Sequence, residues 1–153
     1  MKSLHIIFAL LIINGTLSQQ LENSGFEQWE NVGTGEEEPL SWSSTKTSDN
    51  SSLNGLAPQV ISRSTDAHTG AYAAKLVNKN VPFVNIVANG ILTNGIIHTT
   101  TNPQDSYVYT DVNSSEHSQP FTSYPDSMVG WYKYTPQGND VGNIQVLLHG
   151  SYG

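Results

Sequence analysis

The sequence predicts an all-β protein, an antiparallel β-sandwich with an eight-stranded jelly roll as its form. Three observations carry that expectation. Only 12% of the residues are charged, and Ser, Thr, Asn and Gly are abundant where helical proteins favour Ala, Glu, Lys and Leu. Short runs that alternate apolar and polar residues recur along the chain, each bounded by turn residues. Asn89-Gly90 and Asn94-Gly95 cut the most apolar stretch, and Asn-Gly is the strongest two-residue signal for a hairpin. In a sandwich, two apolar inner faces share one core.

The chain has 153 residues, the length of one domain. Residues 1–18 read as a secretory signal peptide. Lys2 supplies the positive end, and Leu4 to Ile13 is an apolar run too short to span a bilayer. Asn14-Gly15 breaks the run, and Leu17-Ser18 before Gln19 suits cleavage. Residues 19–153 then form the β-sandwich domain. Its strands are expected at Phe26–Trp29, Leu40–Ser43, Gln59–Ser64 and Ala71–Val77, and within the buried stretch Phe83–Ile97. Further strands are expected at Tyr107–Thr110, Met128–Thr135 and Asn143–His149. Thr45–Gly55 reads as a long surface loop, and Glu36-Glu37-Glu38 as a solvated acidic turn. The chain stops at Gly153 just after a strong strand pattern, so a domain incomplete at its C-terminus is expected.

Charge and cysteine content narrow the setting. The formal charge is −7, and loss of Lys2 with the signal peptide takes it to −8. That excludes nucleic acid as an expected partner and disfavours anionic membrane surfaces. No later stretch is apolar enough for membrane insertion after signal cleavage. Cysteine is absent, so a packed core or a bound metal has to hold the fold. Asn50-Ser51-Ser52 and Asn113-Ser114-Ser115 match the N-glycosylation sequon, a short and common signal.

Two stretches resemble known families. Asn23-Ser24-Gly25-Phe26-Glu27, Pro39-Leu40-Ser41-Trp42 and His68-Thr69-Gly70-Ala71-Tyr72-Ala73-Ala74-Lys75-Leu76 resemble the opening of galactose-binding-like jelly-roll carbohydrate-binding modules. Pro120-Phe121-Thr122, Tyr124-Pro125, Gly130-Trp131-Tyr132-Lys133-Tyr134-Thr135-Pro136 and Gly138-Asn139-Asp140 resemble the signature of a carbohydrate metabolism domain of exported Bacteroidetes proteins. Tyr124 stands in place of a basic residue and Trp131 in place of the usual Tyr. The resemblance implies a jelly roll, a secreted or cell-surface location and a carbohydrate partner. The jelly-roll modules also imply a structural calcium near the first strand. Glu27 matches the carboxylate of that site, with Asn23 or the Asp66–Gly70 turn adding oxygens.

Sugar rings stack their C–H faces on aromatic side chains, and their hydroxyls need planar polar partners. Trp131, Tyr107, Tyr109 and Asp111 are the candidate ligand residues on that chemistry. Alternation along Met128–Thr135 leaves two assignments open. Either Tyr132 and Tyr134 join Met128 in the core and Trp131 faces out with Lys133, or the reverse holds. His68, His98, His117 and His149 lack zinc-ligand spacing. A glycosidase needs two opposed carboxylates, and sequence does not place a pair among Asp105, Asp111, Glu116, Asp126 and Asp140. No nucleophile elbow, phosphate loop or zinc-protease helix is present. The leading expectation is therefore an exported non-catalytic carbohydrate-binding module of a larger surface protein. A glycan-active hydrolase and a structural or adhesion spacer are the alternatives.

Overall fold

Backbone pairing in this protein is short and local. The computed structural model describes residues 19–150. The expected signal peptide and the last three residues lie outside them. Eight strands form four antiparallel pairs, with almost no helix, so the chain is all-β. β1 (Trp29–Glu30) pairs with β2 (Glu38–Pro39), and β3 (Ile61–Ser64) with β4 (Ala73–Leu76). β5 (Lys79–Asn80) pairs with β6 (Val87–Ala88), and β7 (Ile96–His98) with β8 (Tyr107–Tyr109). A four-residue helix, α1, spans Ser51–Asn54, and a 3-10 turn spans Pro103–Asp105.

The β3–β4 ladder is the longest, and its register sets Ile61 opposite Leu76. The Val77 amide extends it by donating to the Val60 carbonyl at 2.9 Å. Val60 and Ile61 are buried here, as are Pro39 of β2 and Ile97 of β7. Around them the interior is polar: Ser41, Ser43, Ser44, Ser48 and Glu38 are all buried. Side chains knit the pairs together. The Gln59 amide donates to the Glu37 carbonyl at 2.6 Å and to the Ile61 carbonyl at 2.8 Å, joining β2 to β3. The Arg63 guanidinium lies over the Tyr72 ring at 4.3 Å and reaches Glu37 at 3.6 Å.

Several expectations are corrected. Phe26 has a positive φ, so the chain is still turning there and β1 starts at Trp29. Ser41 also has a positive φ, and β2 ends before it at Pro39. Ser43 makes only an isolated bridge to Thr93. The 45–55 stretch is not all surface, because it carries the buried Ser48 and α1. The stretch Phe83–Ile97 is buried only toward its end: Phe83 is fully exposed and Val84 and Val87 are exposed, whereas Gly95 and Ile97 are buried. The β5–β6 turn lies at residues 82–85 and uses neither Asn-Gly pair. Gly90 and Gly95 donate instead to the Asn78 and Thr93 side chains. No strand follows Tyr109 among the described residues, so Met128–Thr135 and Asn143–His149 form none. Alternation gives these segments a strand's side-chain pattern, but no neighbouring backbone meets their amides.

Glu38 is the sharpest departure. It is 1% exposed, not part of a solvated turn. Neither of its carboxylate oxygens has a hydrogen-bond partner. Burial pushes its pKa up, and the nearby Ser44 and Thr47 groups offset only part of that. The folded state therefore holds the proton longer than the unfolded chain. Stability falls as pH rises from the ordinary carboxylate range through the raised value.

Three substitutions test this packing. In metal-free buffer, Glu38→Gln should raise the urea midpoint at about pH 8 and change it little near about pH 4. Asn23→Ala should destabilise by about 2–4 kcal/mol in urea titration, because it removes three hydrogen bonds at a residue of positive φ. Glu36→Ala on the exposed loop should stay within about 0.5 kcal/mol.

Candidate functional site

The β7–β8 pair builds one polar, aromatic face. Directly opposed residues of an antiparallel ladder point to the same side. His98 opposes Tyr107 and Ile96 opposes Tyr109, so all four share a face, while Ile97 between them turns into the core. The His98 and Tyr107 rings lie 4.7 Å apart, and the two tyrosine rings 6.1 Å apart at 55°. Tyr107 is 57% exposed.

Asp49 is brought to this face by the chain entering α1. Its amide donates to the Ile97 carbonyl at 3.0 Å, and the Asn50 side chain donates to the Thr99 carbonyl at 3.1 Å. Asp49 Oδ2 then lies 2.7 Å from His98 Nδ1, and the Thr99 amide donates to Oδ1 at 3.4 Å. The Tyr109 hydroxyl donates to the same carboxylate at 3.5 Å. The hydrogen bond from His98 is the main reason Asp49 is held below the usual carboxylate range. An ionised carboxylate only accepts, so the His98 proton sits on Nδ1 and Nε2 is left for another partner. Desolvation, then the charges of Asp49 and Asp111, push the Tyr109 phenol up. Asp111 is therefore electrostatically part of this face. Its own Oδ1 accepts from the Asn113 amide at 3.0 Å and fixes the turn that leaves β8.

Trp131 sits in a second patch. Its ring stacks on His68 at 3.8 Å with 10° between planes, and Lys133 pairs with Asp66 of the same turn. Trp131 is 74% exposed and borders a groove of about 220 Å³ with Met128, Gly130, Tyr132 and Ile144. Among the described residues, no hydrogen bond or ring contact joins Trp131 to Tyr107, Tyr109 or Asp111. Trp29 and Trp42 serve the turn at residues 21–28. Their indoles donate to the Phe26 and Glu22 carbonyls, and Phe26 packs edge-on against Trp42 at 5.0 Å.

Glu27 is held by the other end of the His68 turn. Its carboxylate accepts from the Ala71 amide at 3.1 Å and the Tyr72 amide at 3.2 Å. Gly70 has φ +75°, and a Cβ there would meet Glu27 Oε1 at 2.0 Å. Asn23 is spent on backbone: its Nδ2 donates to Gln28 and Leu40, and its Oδ1 accepts from Gln28. Of the two expected calcium residues, Glu27 keeps free lone pairs and Asn23 Oδ1 faces an N–H. Among the described residues, no group of three or more His, Asp or Glu is placed to hold a metal.

Asp49 and His98 were absent from the sequence-based candidates. The register of Tyr107 against residue 98 is the signal that leads to His98, and only tertiary contacts bring Asp49 in. A Ser43–His117–Glu116 chain also exists, at 3.3 and 3.9 Å. Its serine is completely buried, so substrate has no access to that hydroxyl. Comparison with known proteins found no matching family model, no matching curated sequence and no matching solved structure.

Gly70→Ala is predicted to expel the Glu27 carboxylate and to strain a left-handed backbone. The expected loss is about 2 kcal/mol or more by urea titration, with a smaller loss for Glu27→Gln.

Proposed function

We propose that this chain is an exported, non-catalytic carbohydrate-binding module whose ligand face is Tyr107, Tyr109, His98 and Asp49, with Asp111 at its edge. One observation carries the proposal: two tyrosine rings and a fixed Asp–His pair share one accessible sheet face. A sugar ring would stack on Tyr107. Its hydroxyls would donate to Asp49, to Asp111 or to the Tyr109 oxygen, whose own proton goes to Asp49, and His98 Nε2 would accept a further hydrogen bond. The polar groups are held by backbone contacts, so little ordering is left for the moment of binding.

The fold we assign to the module is the galactose-binding-like jelly-roll sandwich. Four antiparallel ladders and the near absence of helix support it. The leader pattern and the resemblance to exported Bacteroidetes domains support a secreted or cell-surface setting. No helix among the described residues is long and apolar enough to cross a membrane. Trp131 is a second stacking position in the proposal, with its ring stacked on His68 and its side chain bordering the groove. Calcium at Glu27 belongs to the same reading, since that carboxylate retains lone pairs.

The test is retention on immobilised plant and microbial polysaccharides, followed by titration with the best oligosaccharide. Tyr107→Ala should weaken binding about fivefold or more, given about 1 kcal/mol or more for a lost stacking contact. Trp131→Ala should weaken it less. Unchanged retention in Tyr107→Ala together with Asp49→Asn would remove this face from the function. Sugar release during the same incubation would favour the hydrolase reading.

A further inference from the structure

The face built on β7 and β8 spends its hydrogen-bond donors on its own carboxylates. The His98 Nδ1 proton, the Tyr109 hydroxyl and the Thr99 amide all go to Asp49. The Asn113 amide goes to Asp111 Oδ1. What those groups leave open to a ligand accepts: the remaining lone pairs of Asp49, Asp111 Oδ2, the Tyr109 oxygen and His98 Nε2. The exposed Tyr107 ring adds the negative face of a π system beside them.

Charge points the same way. Asp49 is held below the usual carboxylate range, and the charges of Asp49 and Asp111 act together on Tyr109. Among the described residues, no Lys or Arg is hydrogen-bonded or ion-paired to this face. Arg63 serves Glu37 and Tyr72, and Lys133 serves Asp66. Lys46 donates to the carbonyl of Asn54, the last residue of α1, and Lys75 and Lys79 stand on β4 and β5. The ligand surface is therefore aromatic, negative and rich in acceptors.

We infer that this face, if it is the carbohydrate site proposed above, selects a cationic amino sugar, a glycan unit whose free amine is protonated. An ammonium carries three donors and no acceptor, the complement of the groups left open here. It is attracted to the face of a tyrosine ring and to accessible carboxylates at the same time. N-acetylation removes that charge and adds a carbonyl, which needs a donor that Asp49, Asp111, Tyr109 and His98 do not have to spare. A uronate brings like charge to two aspartates. A neutral sugar still stacks on Tyr107 and donates its hydroxyls, so it binds, but more weakly.

The experiment is calorimetric titration of the full chain with short oligomers of glucosamine, N-acetylglucosamine, glucose and galacturonate. The buffer keeps the glucosamine amines protonated, and each titration is run at low and at high salt. Wild type should bind the glucosamine oligomer about fivefold or more tighter than the glucose oligomer at low salt. High salt should remove most of that preference, and the galacturonate oligomer should bind worst. Asp111→Asn should cut the preference, and Tyr107→Ala should weaken both oligomers. Glu36→Gln removes the same unit of charge from the exposed β1–β2 loop and should leave the preference intact. Equal affinity for glucosamine and glucose oligomers, both lost in Tyr107→Ala, would overturn the amino-sugar assignment and leave the carbohydrate site standing. Tighter binding of the N-acetylated or the galacturonate oligomer would overturn the assignment as well. A preference that survives Tyr107→Ala, or that falls as far in Glu36→Gln as in Asp111→Asn, would belong to the net charge of the chain and overturn this face as its source. No Tyr107-dependent binding of any oligomer would overturn the site and the assignment together.

Discussion

The described part of this chain has a very small apolar core. Val60, Ile61, Ile97 and Pro39 are the large apolar side chains buried in it, and serines and a glutamate fill the space around them. Burial of the first three supplies only about 5–9 kcal/mol, and conformational entropy opposes folding throughout. Side chains that bind backbone therefore set the architecture. Asn23 ties residue 28 and Leu40, Gln59 ties β2 to β3, and Glu27 ties the first turn to the entry of β4. Each contact spans elements whose own ladders are two to four residues long. A fold of this kind tolerates changes on exposed loops and is sensitive at a handful of polar residues, the reverse of a protein with a large apolar core.

The same constraint explains how the candidate ligand face is presented. β7 and β8 pair over only three residues, yet Ile97 is buried between two outward positions. That single inward residue fixes which side chains look out. Register then makes His98 and Tyr107 neighbours, and α1's approach adds Asp49 through contacts to Ile97 and Thr99. The Asp49–His98 bond aligns the imidazole, and the two tyrosines flank it as flat surfaces. Rigid polar groups beside accessible rings are what carbohydrate recognition asks for, because sugars present both C–H faces and dense hydroxyls.

The all-β class was legible in the turn-rich composition, and β3, β4 and β8 were legible in alternation. Those segments are ones where the expected pattern coincides with a real backbone partner. The resemblance set Glu27 and the Asp66–Gly70 turn as oxygen ligands of one calcium, whereas in the structure the Glu27 carboxylate accepts from the Ala71 and Tyr72 amides just past that turn. Tyr107, Tyr109 and Asp111 come together because they lie within five residues of one another on and just past β8. Trp131 does not join them, since its neighbour is decided by the 66–70 turn, far away in sequence. Glu38 was illegible for another reason. Three consecutive glutamates resemble a solvated turn, and only the pairing of β2 with β1, and its packing on β3, draws the last of them inside.

The segment from Gln119 onward shows where alternation stops being sufficient. Its side chains follow a strand pattern, but no ladder meets them, and polar tethers hold it to the body instead. Gln19 binds the backbone and hydroxyls of Thr122 and Ser123, Asn78 donates to Asp140, and Thr110 meets His149. Lys133 and Trp131 stand two residues apart, and both are bound by the turn at Asp66 and His68. Neither orientation left open by sequence holds, because no face of this segment enters the core: Met128, Trp131, Tyr132 and Tyr134 are all exposed. The residue between them, Tyr132, is as exposed as Trp131. Alternation was the right rule for which side chains go together. Burial needed a second surface, and the turn at residues 66–70 gives Trp131 and Lys133 one contact each while leaving both exposed.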